Sequence, residues 1–425
     1  MHTPPRTITA DLAIIGTGLA GTAAAVFASN RNIACAIAGN TGALAYTTGY
    51  FDLLGFFDGR FVGDPWDALA KMQQTAPQHP LAGISPEDVH RAFTEFITFI
   101  GDNGITYSQP GSDNLRALTP AGTLKPTLCL PATMAKGVEA ISRKAACTVF
   151  GFHGLKGFSA NQIAANLQNG WPKIEARQIQ FPTHLQGELY AEVAARSLEV
   201  PANRKLLARI LDSEAGQSDY IGLPAILGIH RPDNILHDLE QLTGRRIFEI
   251  PTMPPSVPGI RLREMFEQQF PQRDIAMTPQ QRIERLDFTG ETIALHLKDN
   301  HGPIVISAKT ALLATGRFLS GGLKARFDSI DEPLAGLPVH QPSSREQWYQ
   351  NEYLDSRGHE IHQAGIECDA SFRPLGKDGR VFDPRLFSAG IILAHQDWIR
   401  QRCGAGVAIA TAYRAVQAVE DFLAE

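Results

Sequence analysis

Asp11-Leu-Ala-Ile-Ile-Gly16-Thr-Gly18-Leu-Ala-Gly21-Thr22 is a short apolar run that breaks into Gly-x-Gly-x-x-Gly and continues into the alanine-rich stretch Ala23 to Ala28. It reads as a strand, a tight turn and a helix. Gly16 lets the chain turn sharply, Gly18 lets backbone approach a phosphate, and Gly21 lets the helix pack closely on the strand. The helix begins at Leu19 and Ala20, and its first N–H groups carry a partial positive charge suited to an anion. Glycine-rich turns also occur as plain packing turns, so the weight comes from the position directly after a strand. A nucleotide-binding turn is expected.

Ile33-Ala-Cys-Ala-Ile37 follows as a second buried strand and closes a β-α-β unit. Dinucleotide folds place an acid at the end of this strand to hold a ribose. Here the chain runs Ala38-Gly39-Asn40, without Asp or Glu. NAD is therefore disfavoured, and Gly39 is expected beside the phosphate.

The 425 residues are 44% hydrophobic and 20% charged, enough for a large core and more than one domain. A net charge of −5 without runs of like charge argues against a nucleic-acid partner. Cys35, Cys129, Cys147, Cys368 and Cys403 contain no C-x-x-C pair, so no iron–sulfur or zinc site is expected. The N-terminal residues lack a charged segment followed by a hydrophobic one, and no apolar run is long enough to span a bilayer. No direct membrane span is expected.

Residues 64–254 alternate helical patterns, such as Pro86 to Gly101 and Asn161 to Asn169, with strand-like pieces, such as Cys147 to Phe152 and Ala176 to Phe181. They read as an inserted α+β cap domain. The proline-dense Ile250-Pro-Thr-Met-Pro-Pro-Ser-Val-Pro-Gly259 marks a return to the first domain. Short strands are then expected at Ile283 to Phe288, Thr292 to Leu297, Pro303 to Ser307 and Thr310 to Ala314. The expected fold is α/β, a Rossmann-like nucleotide-binding domain with this insert. Its parts are 1–63, 255–335 and 375–425, with 336–374 lying near the cap.

Two more glycine turns share the character of the first: Thr315-Gly316 after the strand Leu313-Ala314, and Gly390 after Leu386-Phe-Ser-Ala, leading to Gly404-Ala405-Gly406 and a final helix. Together the three resemble the two-domain flavoproteins typified by the fumarate reductase flavoprotein subunit. The resemblance implies that Thr315-Gly316 lies near the nucleotide and that the last helix aims its N-terminus at the flavin pyrimidine, where reduction places negative charge. Thr47, Thr48 and Gly49 would supply hydroxyl and backbone donors to the isoalloxazine ring or a phosphate.

Thr47-Thr-Gly-Tyr-Phe-Asp-Leu-Leu54, the proline-rich segment through Leu262, Ala314-Thr-Gly-Arg-Phe-Leu-Ser-Gly-Gly-Leu323 and Arg402-Cys-Gly-Ala-Gly406 are similar to the B-subunit family of anaerobic glycerol-3-phosphate dehydrogenases. In this chain Gly16-Thr-Gly18 stands where that family more often has consecutive glycines, and Thr47-Thr48 where it has serines. The resemblance implies a flavin subunit carrying FMN, with FAD as the alternative. It also implies a catalytic flavoprotein A subunit and an iron–sulfur membrane-anchor C subunit as partners. Together they would oxidise glycerol 3-phosphate to dihydroxyacetone phosphate and pass electrons to quinone, at the cytoplasmic side of the inner membrane. FMN suits the missing ribose acid.

Oxidation of an alcohol by a flavin needs a proton acceptor, and a phosphate dianion needs Arg or Lys. His395 is the candidate base and Arg317 the candidate cation; Arg261, Arg373 and Lys125 are lesser ones. Asp52, Asp369 and Asp383 all sit in turn contexts, so no second carboxylate stands out. Two rival functions stay open: a free-standing fumarate-reductase-like oxidoreductase, and an assembly subunit with a vestigial flavin fold.

Overall fold

A computed structural model describes residues 4–425 apart from 40, 185, 289 and 356. The chain divides into two compact units, 1–43, 52–96 and 266–425 in the first, 44–51 and 97–265 in the second. Two of the four crossings fall within the helices Pro86–Asp102 and Val257–Gln272.

The first unit is built on the β-α-β that opens the chain. Strand β1 spans Arg6–Ile15, helix α1 Leu19–Asn30 and strand β2 Cys35–Gly39. The last four residues of β1 and all of β2 are buried, as befits central strands of a parallel sheet covered on both faces. Later strands complete the sheet: β3 Ala276–Pro279, β4 Arg285–Asp287, β5 Ile293–Asp299, β6 Gly302–Leu313 and β7 Leu386–Ser388. Their order is β3-β2-β1-β6-β5-β4, with β7 also against β6. The register of β1 runs from Arg6 opposite Ile304 to Ile15 opposite Leu313.

Two of the expected short strands, at 303–307 and 310–314, are a single strand, β6. No Gly or Pro interrupts Ser307-Ala-Lys-Thr310, so the pleat continues. Its first part pairs antiparallel with β5, Ile293 opposite Ala308, while Ala311 to Leu313 pair in parallel with β7. Strand β3 has no counterpart among the expected strands; it is a four-residue edge lying along β2, Ala276 opposite Ala36. The final helix α2, Gly404–Ala424, packs on α1, with the Phe27 and Tyr413 rings edge to face at 5.1 Å.

A buried histidine gives this unit a pH signature. His79 is 3% exposed; its Nδ1 accepts the Leu81 N–H at 3.1 Å and its Nε2 lies 3.2 Å from Gln401 Oε1. Burial pushes its pKa down to about 4; the Gln401 hydrogen bond opposes this and the charge of His395 adds to it. Protonation would place an N–H against the Leu81 N–H. Because the unfolded state takes up the proton first, stability should fall as pH drops from about 6.5 toward 4, by about 3 kcal/mol in total. Denaturant titrations across that range should show this slope, and His79→Gln should flatten it.

The second unit holds a four-stranded sheet in the order Arg246–Ile250, Tyr220–Pro224, Cys147–Phe152, Ile174–Ile179, parallel throughout. Helical crossovers such as Ala160–Leu167 return the chain to the same end of the sheet, which makes neighbouring strands parallel. Phe150, Phe152, Phe181 and Leu223 are among its fully buried side chains, and Leu115–Leu118 with Leu124–Thr127 add an antiparallel pair. Helix and strand are mixed in this unit, and the strand expected at 176–181 occupies Ile174–Ile179.

Candidate functional site

In the first unit the glycine turn sits at the carboxyl end of β1. The Gly16 N–H donates to Ala38 O at 2.7 Å, and the Ala314 N–H donates to Ile15 O at 2.8 Å, so the ends of β2 and β6 meet at the turn. Gly16 has φ +119°, a conformation that favours glycine, and a Cβ there would lie 2.3 Å from Ala314 O. Gly39 packs against Gly16 Cα from the other side. At Gly21 a Cβ would lie 1.8 Å from Gly16 O, because α1 runs directly over the turn. Gly18 differs: among the described residues its added Cβ would have only Ala43 Cβ near it, at 3.9 Å. The turn is closed by backbone on its flanks and open at Gly18.

The two later turns belong to the same unit. Thr315 and Gly316 follow β6 after the single residue Ala314. Gly390 follows β7, approaches Ala20 of α1, and donates its N–H to Thr411 Oγ1 at 2.8 Å. The Gly406 N–H donates to Asp52 O at 2.7 Å, tying the start of α2 to the segment after residue 51. Neither α1 nor α2 has a side-chain N-cap or an acid in its first turn, which leaves the positive end of α1 for another anion, while at α2 Asp52 O already takes the Gly406 N–H. The hydroxyl oxygens of Thr17 and Thr315 are buried without a hydrogen-bond partner among the described residues. Orphaned hydroxyls and the uncapped start of α1 at the carboxyl end of β1 fit a phosphate-bearing nucleotide.

Thr47, Thr48 and Gly49 lie in the second unit. The Gly49 N–H donates to Thr47 Oγ1 at 3.2 Å. The Ser256 N–H donates to Ala45 O at 3.0 Å and its hydroxyl to Thr47 O, while a Cβ on Gly259 would lie 2.4 Å from Leu44 O. Thus the threonine loop is seated on the proline-rich segment. Ser256 and Gly259 were not among the expected site residues; their signal was their place inside Ser-Val-Pro-Gly, the most distinctive stretch of the chain.

The expected catalytic side chains have other partners. Arg317 is 6% exposed, and its guanidinium donates to Ile361 O at 2.7 Å and to His362 O. Burial lowers its pKa to about 10, opposed by the charge of Asp397. His395 Nε2 lies 2.9 Å from Glu367 Oε1. Arg373 pairs with Asp369 at 2.7 Å, and Asp383 with Arg385 at 2.7 Å. Lys125 is half-buried on Leu124–Thr127, and Asp52 is buried. Arg261 is internal: its Nη1 and Nη2 meet the Glu249 carboxylate at 2.7 and 2.8 Å, and its Nε donates to Gly228 O at 2.8 Å.

With this geometry, the chain is a flavoprotein of the FAD-binding domain family, whose model matches residues 11–407. More narrowly, it belongs to the B-subunit family of anaerobic glycerol-3-phosphate dehydrogenases. The family member from Aliivibrio fischeri is 31% identical over 96% of this chain and 95% of its own length. The one from Vibrio cholerae is 30% identical, covering 96% of each. Among solved structures, 3-ketosteroid Δ1-dehydrogenase from Sterolibacterium denitrificans covers 97% of this chain and 100% of its own, at 11% identity and a TM-score of 0.45.

The matched family supports FAD, the alternative, and gives no support to FMN as first choice. A missing ribose acid removes one hydrogen-bonding anchor but leaves the phosphate cradle, which both flavins need. β2 itself contains no acid, and Asn40 lies outside the described residues.

Proposed function

We propose that this chain is the flavin subunit of a respiratory glycerol-3-phosphate dehydrogenase and holds FAD on its glycine cradle. The observation that carries the reading is the convergence of the Gly16, Thr315 and Gly390 turns at adjacent strand ends beside the uncapped start of α1. Gly16, Gly18, Leu19, Ala20 and Gly21 would hold the pyrophosphate through backbone N–H groups, with Gly39 packed behind them and the Thr17 hydroxyl as a further donor. Thr315 and Gly316 would line the nucleotide, and Gly390 would set α1 against β7. Gly404, Ala405 and Gly406 would present the α2 N-terminus to the flavin ring.

A bound flavin would supply electron exchange between the catalytic partner and an iron–sulfur partner, since it can accept two electrons and release them singly. The chain's own residues bind it, orient it and place positive helix ends where negative charge develops. Substrate oxidation is assigned to a catalytic partner, because Arg317 is engaged with carbonyls and His395 with Glu367. Arg317 then acts by position, fixing residues 361–362 beside the turn it follows. No helix among the described residues is long and apolar enough to cross a membrane, so attachment would come through the iron–sulfur anchor.

Mass spectrometry of the cofactor released from the purified full-length chain should identify FAD; FMN would overturn that assignment. Glycerol 3-phosphate should reduce the flavin in the reconstituted complex and not in this chain alone. Reduction of the lone chain by another substrate would favour a free-standing oxidoreductase. Failure to take up either flavin on reconstitution would sink the flavin-subunit reading in favour of an assembly role.

A further inference from the structure

We propose that His340, Glu367 and His395 form a binding site for a divalent transition-metal ion of the Zn2+ type. Their ligand atoms all lie within 4.8 Å of one another. One carboxylate oxygen, Glu367 Oε1, faces both imidazoles, 2.9 Å from His395 Nε2 and 3.8 Å from His340 Nδ1, and the two rings lie 4.1 Å apart. An exposed His–Glu pair is a common surface contact worth little. It does not explain a second imidazole drawn to the same oxygen and packed against the first.

The convergence is imposed by backbone. His340 and Gly365 exchange hydrogen bonds of 2.8 and 3.1 Å; Ile366 N–H donates to Ile392 O at 2.9 Å and Ala394 N–H to Ile366 O at 3.0 Å. Gly365 is wedged so tightly that a Cβ would lie 2.5 Å from Ile392 O. His395 holds φ +62°, in the left-handed region that L-residues seldom adopt, while its N–H donates to Gln363 O at 2.9 Å. Three distant pieces of chain are thereby fixed with their ligands together.

Two imidazole nitrogens and one carboxylate oxygen suit a borderline first-row ion; Mg2+ and Ca2+ prefer oxygen alone. Metal–ligand bonds of about 2.0–2.2 Å separate ligand atoms by roughly 3–3.5 Å, within the spread present here. Three protein ligands leave an open position for water. His340 and Glu367 side chains are 41% and 50% exposed, so an ion can enter from solvent.

Chelator-treated full-length protein should bind Zn2+ stoichiometrically by elemental analysis, and Co2+ should give visible absorption of a low-symmetry site. His340→Ala and Glu367→Gln should each weaken binding by about tenfold or more, at unchanged circular dichroism and flavin content. Absence of Zn2+ and Co2+ binding by the wild-type protein would overturn the site, as would wild-type affinity in either folded variant.

Discussion

Gly21→Ala is expected to abolish flavin retention and to lower stability by about 3 kcal/mol, the upper range for an overpacked site. The new Cβ would stand 1.8 Å from Gly16 O and 2.9 Å from Gly16 C, so relief requires moving backbone rather than turning a side chain. Either α1 lifts from β1 or the turn opens. Both changes pull the helix N-terminus from its place at the strand ends, and with it the first N–H groups. Gly18→Ala supplies the contrast, since among the described residues its Cβ meets only Ala43 Cβ, at 3.9 Å. That variant should keep its denaturation midpoint while losing flavin affinity, because its methyl enters the open side of the turn. Flavin absorbance and urea midpoints of the two variants separate packing from binding. A Gly21→Ala protein with full flavin content would refute the arrangement of the cradle.

Breaking the Arg261–Glu249 pair should be the most destabilising single change in the second unit. The two side chains are 1% and 0% exposed, and Glu249 also accepts Leu227 N–H at 2.7 Å and the Thr133 hydroxyl at 2.7 Å. Arg261→Met would leave a buried carboxylate without its counter-charge, an expected loss of about 4 kcal/mol. Glu249→Leu with Arg261→Met should recover most of that loss, since neither charge is then stranded.

The pair also carries a pH dependence with a defined sign. Burial pushes the Glu249 carboxyl up, but the Arg261 charge and its hydrogen bonds, then Leu227 N–H and Thr133, outweigh it and hold it below the usual carboxylate range. In the wild-type protein this stabilisation is therefore present above the ordinary Glu value of about 4.3 and lost as pH falls toward the depressed one. In Arg261→Met only burial and the weaker donors remain, so the carboxyl should protonate more readily and the deficit against wild type should shrink in acid. A deficit independent of pH in urea titrations would show that packing, not the stranded charge, dominates.

Local chemistry made much of this protein legible in its sequence. The apolar run before Gly16, the spacing of Gly16, Gly18 and Gly21, the strand Cys147–Phe152 and the long helix from Gly404 all depend on neighbours within a few residues. Turn chemistry and periodicity therefore reveal them. The edge strand Ala276–Pro279 was not legible: its half-exposed residues carry no clear alternation, and pairing with β2 defines it. Arg317 and Arg261 read as candidate phosphate-binding cations because sequence cannot place carbonyls from residues 361 and 362, or Glu249, beside them.

Sequence by itself determined a strand–turn–helix opening built for phosphate, the order of three glycine turns, and the kinship they share with a flavoprotein family. Only the tertiary structure decided that Gly16 is clasped between Ala314 and Gly39, that the threonine loop rests on the proline-rich segment, and that His340, Glu367 and His395 share one oxygen. The division has one physical cause. Turn and helix preferences are encoded in adjacent residues, whereas strand register and long-range hydrogen bonds depend on which distant segments the fold brings to the same edge.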